Sequence, residues 1–304
     1  MKKKLSILFL IIIIAFAGYN FHQRLADRVL FIPWHQLRHQ TLLHRIPEDL
    51  SFAGERIHFK SPVSYQRFYS SLQQIASPNE STRYLIMNAR IWLPRIGAIL
   101  KQKGVPEDFQ YVAVAESNLS NVVSPMGAAG FWQFQAGPAR EFGLEVNEEV
   151  DERYDPIKST YAAAKFFKQA HALFGTWTSA AASFNSGMNG LQYYFRRQRV
   201  NSYYDLDLKN ETASYMYRIL CVKDLLKDPR KYGIKINNHN SECLQTIEVA
   251  ESIGDLEKFA LEHHSSLKEL RMLNPWLMKN SLTIKKPRKV YVLLLPVKNI
   301  HKRL

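Results

Sequence analysis

Cysteine is almost absent from this chain. Cys221 and Cys243 are the two thiols in 304 residues, which excludes a disulfide-dense scaffold and a four-thiolate zinc site. Glycine and proline number 13 each, too few for a collagen-like or Pro-rich fibrous chain. There is no Gly-rich phosphate loop and no GxSxG nucleophile elbow. Of the ten histidines, His263 and His264 are adjacent and on a helix would point about 100° apart, so they do not make a ligand pair. The sequence therefore predicts no metal and no cofactor. Acidic residues are scarce as well, with 27 Asp+Glu against 41 Lys+Arg and a formal net charge of +14. That balance favours a polyanionic partner, whether nucleic acid, anionic lipid or an acidic polymer. Apolar residues make up 46% and aromatics 12%, enough to bury a sizeable core, so global disorder is excluded.

The first residues narrow the choice of partner. Lys2, Lys3 and Lys4 precede an apolar run from Leu5 to Ala17, the order of an export signal, with a small-x-small cleavage pattern at Ala15 and Ala17. The run is shorter than the roughly 20 residues of a membrane-spanning helix. An uncleaved anchor extended through Tyr19 to Phe21 is the alternative, and would add membrane association. No cysteine follows the run, so a lipoprotein anchor is not supported. Export turns the basic charge away from nucleic acid and towards the cell envelope. It also permits a Cys221–Cys243 disulfide; one buried thiol and one loop thiol is the other reading.

The expected fold is mainly α, a helical catalytic domain with a small α+β module at the C-terminus. After the signal or anchor (1–17) comes a helical or extended segment (18–80), then the catalytic domain (81–236). Helical spacing of Tyr84, Met87 and Ile91 predicts a helix that Pro94 ends or kinks, with Ile96, Ile99 and Leu100 resuming the pattern. Further helices are expected from Tyr161 to Phe174, closed by Gly175, and from Glu211 to Leu226. A polar, turn-prone stretch (237–242) reads as a linker. Strand, helix, helix and strand then follow in the module (246–297), and a basic tail closes the chain (298–304).

The chemistry concentrates between Pro106 and Leu144. Phe109, Val112, Ala113 and Glu116 fall at i, i+3, i+4 and i+7, so one helix face carries a carboxylate at its apolar end. Burial there disfavours the ionised form and raises the pKa, the requirement for a general acid at neutral pH. An ordinary solvated glutamate is the bland alternative. Gly127, Ala128, Ala129 and Gly130 would let backbone approach a ligand closely. Trp132 and Phe134 offer flat faces suited to sugar rings, although plain packing would use them equally well. Asp151 and Asp155 read as helix caps.

Together these stretches resemble the lytic transglycosylases. The likeness is carried by Glu116-Ser117, by Ser124 to Gln133, by Ser183-Phe184-Asn185-Ser186-Gly187, and by Glu211-Thr212-Ala213-Ser214-Tyr215. Asp151 to Pro156 and Thr160 to Ala164 add to it, as do Ile46 to Leu50 and Phe52 to Glu55 upstream. The resemblance implies a goose-type lysozyme-like helical domain acting on peptidoglycan glycan strands, with Glu116 as the single acid/base. It implies that Ser117, Ser124 and Gln133 contact substrate and that Phe184, Asn185 and Tyr215 line the cleft. One position departs: the family has Tyr where this chain has Phe184, so a hydroxyl that could orient the glutamate is missing there. The C-terminal module is similar to glycan-binding LysM modules at Leu256, Phe259, Leu270, Asn274 and Leu295-Pro296, a structural appendage being the alternative.

The route implied is non-hydrolytic. Glu116 protonates the bond between N-acetylmuramic acid and N-acetylglucosamine, then takes the proton of the muramoyl 6-hydroxyl, giving a 1,6-anhydro sugar. A hydrolytic muramidase and a non-catalytic peptidoglycan-binding scaffold are the competing readings.

Overall fold

A computed structural model describes residues 50–57, 59, 61–234, 244–285 and 289–297. Two compact units divide the chain, Met1–Leu50 and Ser51–Leu304; of the first only Leu50 is described. The apolar run from Leu5 to Ala17, the expected linker, Cys243 and the basic tail lie outside the described residues. Among the described residues no helix is long and apolar enough to cross a membrane.

The second unit is mainly helical, with strands in short antiparallel pairs. It opens on a hairpin, β1 (Ser51–Phe52) and β2 (Glu55–Arg56). Ala53 and Gly54 both take positive φ, 53° and 82°, as a tight two-residue hairpin turn demands. The hairpin is tied into the helical body at three points. Phe52 is fully buried with its ring 5.0 Å from that of Phe109. Asp108 accepts the Ala53 amide at 2.7 Å and pairs with Lys223 at 2.7 Å. The Glu55 carboxylate accepts the Trp177 and Thr178 amides and the Thr178 hydroxyl, at 2.7, 2.8 and 2.6 Å.

Among the described residues eight α-helices follow before the C-terminal module. They are α1 (Pro62–Ile75), α2 (Glu80–Gln102), α3 (Gln110–Ser117), α4 (Ala136–Glu141), α5 (Pro156–Phe174), α6 (Trp177–Ser186), α7 (Met188–Gln198) and α8 (Asn210–Lys227). Caps fix most of their starts. Ser61 and Ser64 form a capping box on α1, Asn79 caps α2, and Asp155 accepts the Ile157 and Lys158 amides to start α5. Gly175, with φ 73°, stops α5. The expectations about α2 hold in part, since Ile96, Ile99 and Leu100 do resume a buried stripe. The helix runs through Pro94 rather than ending there, because Pro94 and Arg90 both face solvent, where the carbonyl left without a donor can meet water. Its buried stripe is Leu85, Ile86, Ala89, Ile96, Ile99 and Leu100, whereas Tyr84 and Ile91 are more than half exposed. Rings of Phe109, Trp132, Phe167 and Phe184 meet in the core, with Phe109–Phe167 at 4.4 Å and Phe167–Phe184 at 5.1 Å.

The module pairs β3 (Leu244–Val249) antiparallel with β4 (Tyr291–Pro296), around α9 (Leu256–Glu262) and α10 (Leu267–Leu273). Asn274 is buried and bridges the halves, donating to the Leu270 and Leu294 carbonyls and accepting the Leu294 amide. Its core of Leu256, Leu270, Trp276, Leu293 and Leu295 also takes in Val150 from the helical body. Backbone bonds join the two, Met278 to the Glu149 carbonyl at 2.9 Å and Asp151 to the Trp276 carbonyl at 3.0 Å. The Glu149 carboxylate accepts both the Ser281 and the Thr283 hydroxyl.

Candidate active site

Glu116 sits on the last turn of α3, on the stripe whose earlier members Phe109, Val112 and Ala113 are wholly buried. Burial of that stripe fixes the rotation of the helix, and so the direction of the carboxylate. Asn118 and Leu119, both left-handed with φ 54°, turn the chain away immediately afterwards. Alongside runs α8, whose buried Tyr215 donates its hydroxyl to Glu116 Oε1. One turn on, Arg218 faces the same space, its guanidinium 5.4 Å from the centre of the Tyr215 ring.

A cleft of about 610 Å³ opens over these groups. Its walls include Gln74, Asn79, Thr82 and Tyr84 from α1 and α2, Ser117 and Ser120 from the end of α3, and Arg218 from α8. Glu116 is the one carboxylate among the described residues that line it. Its pKa is raised, chiefly because burial penalises the charged form; the Tyr215 hydroxyl and the Arg218 charge act in the opposite sense, and Glu211 adds to the rise. Tyr215 is itself held well above the usual phenol range, by burial and by the neighbouring carboxylate. A larger cavity of about 1130 Å³ lies between α2, the start of α3 and the end of α8. It contains none of the residues that the motifs single out.

The other candidate residues are distributed differently. Ser117, which lines the cleft, donates its hydroxyl to the Phe131 carbonyl at 2.8 Å. Ser124 accepts the Ala128 amide at 3.0 Å, closing a turn. Gln133, with φ 49°, donates its amide to the Val122 and Gly130 carbonyls. All three side chains therefore bind the backbone of the loop that follows α3. Asn185 is half-buried near the end of α6 and is not among the cleft-lining residues. The Phe184 ring packs against Trp132, Phe134, Phe166 and Phe167.

Two readings of the loop are overturned. Trp132 is fully buried, with its indole N–H given to Thr160 Oγ1 at 3.0 Å, so its face is closed to a sugar; Phe134 is buried too. At Gly130 the close approach is internal, since a Cβ there would stand 1.8 Å from the Arg153 carbonyl oxygen. The role of Arg153 was not expected from the sequence. Its guanidinium pairs with Asp151 at 2.7 Å and donates to the Gly127 and Phe134 carbonyls at 2.8 and 3.1 Å, clamping both ends of the motif loop. Asp151 and Asp155 do cap as expected, but Asp151 also anchors this clamp. Its place in the Asp-x-Arg-Tyr-Asp-Pro string was the available signal.

Similarity to known proteins falls in two stretches of the chain. Residues 95–206 match the family model of the transglycosylase SLT domain. Residues 245–299 match that of the soluble lytic transglycosylase C-terminal LysM-like domain. Two stretches of the chain are thus similar to lytic transglycosylase domains, the SLT domain and the LysM-like domain. The chain is similar to the membrane-bound lytic murein transglycosylase D of Escherichia coli K12, at 23% identity over 249 residues, 80% of this chain and 55% of the relative. The protein of the same name from Escherichia coli O6:H1 matches to the same extent. The chain thus spans about half the length of the curated relatives it matches. The SLT match covers α3, the motif loop, α5 and α6, while Tyr215 and Arg218 lie beyond its end.

Proposed function

We propose that this chain is a peptidoglycan lytic transglycosylase of the cell envelope that cuts the N-acetylmuramic acid–N-acetylglucosamine bond without water. The observation that carries the reading is a lone carboxylate among the described residues lining the cleft, its proton affinity raised by burial. Hydrolysis by the usual pair of carboxylates needs a partner acid across the cleft. A single acid suits an intramolecular route, in which Glu116 first protonates the glycosidic oxygen. The substrate's acetamido oxygen stabilises the cation, and Glu116, now a carboxylate, removes the proton of the muramoyl 6-hydroxyl as that oxygen closes onto C1. The product is a 1,6-anhydro end.

Tyr215 serves both halves of this cycle. Its hydroxyl donates to the carboxylate once the proton has left, and orients the acid beforehand. That contact answers the missing hydroxyl at Phe184, and weighs against a scaffold that has lost activity. The LysM-like module would add glycan affinity at a fixed position beside the catalytic body. An envelope location is supported by the export-signal pattern of the sequence and by the relatives' name, which calls them membrane-bound. Mass spectrometry of digested sacculi tests the reaction: anhydro ends lack one water relative to reducing ends. Reducing ends alone would make the protein a muramidase. Solubilisation unchanged by Glu116→Gln would remove Glu116 from the chemistry.

A further inference from the structure

Arg218 is the one cation among the described residues that line the Glu116 cleft. Its Nε is shut off from solvent and has no hydrogen-bond partner among the described residues. The arginine that clamps the motif loop shows the contrast, since Arg153 holds a carboxylate and two carbonyls. Buried donors are seldom left unmatched, because each costs about 1–3 kcal/mol. The Arg218 guanidinium carbon lies 5.4 Å from the centre of the Tyr215 ring, within reach of a cation–π contact that helps to hold it in place. A guanidinium placed this way in the cleft wall suits a planar anion, above all a carboxylate, received at the part of the group that meets the cleft.

We propose that Arg218 is a specificity residue that receives a carboxylate carried by the muramic acid side of the glycan strand. This rests on the reading of the cleft as a glycan-cleaving site. Two sources share that chemistry: the lactyl carboxylate of strands without peptides, and an acidic residue of an attached stem peptide. Neutral amino-sugar polymers have neither. Recognition would then be coupled to chemistry. The charged and titratable groups around Glu116 are Tyr215, Arg218 and Glu211 on α8, with Tyr84 of α2 in the cleft wall; the remaining α1 and α2 lining is uncharged. An anion on Arg218 cancels the positive charge that opposes protonation of Glu116, so an acidic strand makes the acid hold its proton to higher pH than a neutral strand does.

The test uses the full chain as wild type, Arg218→Gln and Arg218→Lys, on three polymers. These are intact sacculi, glycan strands freed of stem peptides by an amidase, and the same stripped strands with every carboxyl converted to a neutral methylamide. Fragment release and co-sedimentation are both measured. Wild type should prefer the acidic polymers. Arg218→Gln should lose about 10- to 100-fold in kcat/KM on them and less than about threefold on the methylamide; Arg218→Lys should fall between. A loss on stripped strands identifies the lactyl group, and a loss on intact sacculi alone identifies a stem acid. Equal losses on all three polymers, or a wild type indifferent to charge in both assays, would overturn the proposal. Release of no fragments from any polymer would instead defeat the catalytic reading, and co-sedimentation would still decide the role of Arg218. Unchanged melting temperatures separate either result from misfolding.

Discussion

Glu55 offers the sharpest test of how the catalytic body is assembled. Its carboxylate takes the first two amides of α6 and the Thr178 hydroxyl, across 122 and 123 residues of sequence, and so caps a helix from a distant hairpin. Replacing it by alanine removes three charge-assisted bonds, worth about 1.5–3 kcal/mol each before water compensates the freed donors. The start of α6 keeps its local cap, Thr176 on the Ser179 amide, and water can reach the half-buried Trp177, although Thr178 is buried. A net cost of about 2–3 kcal/mol follows, at the upper end of what losing a helix cap costs. For a body of this size that lowers Tm by about 5–10 °C. Glu55→Gln keeps an acceptor oxygen without the charge and should lose about half as much. The assay is thermal unfolding by circular dichroism, with hydrogen exchange at the Trp177 and Thr178 amides as the local reporter. If the alanine variant melts within about 1 °C of wild type, or those amides stay protected, the hairpin does not hold α6.

Four further outcomes can be checked. Tyr215→Phe removes the donor that favours the Glu116 carboxylate, so the proton is held more tightly and the alkaline limb of kcat should move to higher pH; an unmoved limb would show that the hydroxyl does not act on the acid. Because burial raises the Glu116 pKa in the folded state, folding binds a proton. That contribution is complete below the unfolded value of about 4.3 and is lost as pH rises through the folded value. Glu116→Gln should abolish that slope, and its stability relative to wild type should therefore grow from acid to neutral pH in urea titrations. Gly130→Ala adds a methyl where the Arg153 carbonyl is 1.8 Å away and φ is +75°; fragment release should collapse, and a variant that unfolds in urea like wild type would refute the close approach. Val150→Asp puts an unpaired carboxylate into the core of the C-terminal module, costing about 3 kcal/mol or more; exchange along β3 and β4 should accelerate while α5 stays protected.

The orientation of Glu116 was legible because the spacing of Phe109, Val112 and Ala113 is itself the cause of their burial. The same method misread α2. Tyr84, Met87 and Ile91 match a helical stripe as well as Leu85, Ile86 and Ala89 do, and nothing local says which stripe meets a neighbour. Trp132 looked available to sugar because its buried acceptor, Thr160, is 28 residues away. Arg218 could not be singled out, since its mark is the absence of a partner, and a chain with 41 Lys+Arg does not reveal which of them is left without one. Strand, helix and cap signals of the C-terminal module are local and were readable. Its docking was not, because it depends on Val150 and Glu149 meeting residues more than 125 positions away.

That docking bears on the site through a continuous series of contacts. Trp276 holds the Asp151 amide, Asp151 holds Arg153, and Arg153 holds the Gly127 and Phe134 carbonyls. The Phe131 carbonyl then takes the hydroxyl of Ser117, the residue after Glu116. The Asp151–Arg153 pair is nearly buried, with side-chain exposures of 8% and 11%; removing either partner would leave a charge stranded next to the loop. Glu145 adds a second tie, accepting from Tyr291 and Lys289 of the module and its flank. A glycan-binding module on a free tether would raise only the local concentration of strands. One that shares core residues and backbone bonds with the segment bracing the motif loop also constrains where that loop can lie. The module and the acid are thus held in one frame; on the proposed function, a strand bound by the first would meet the second at a fixed distance and angle.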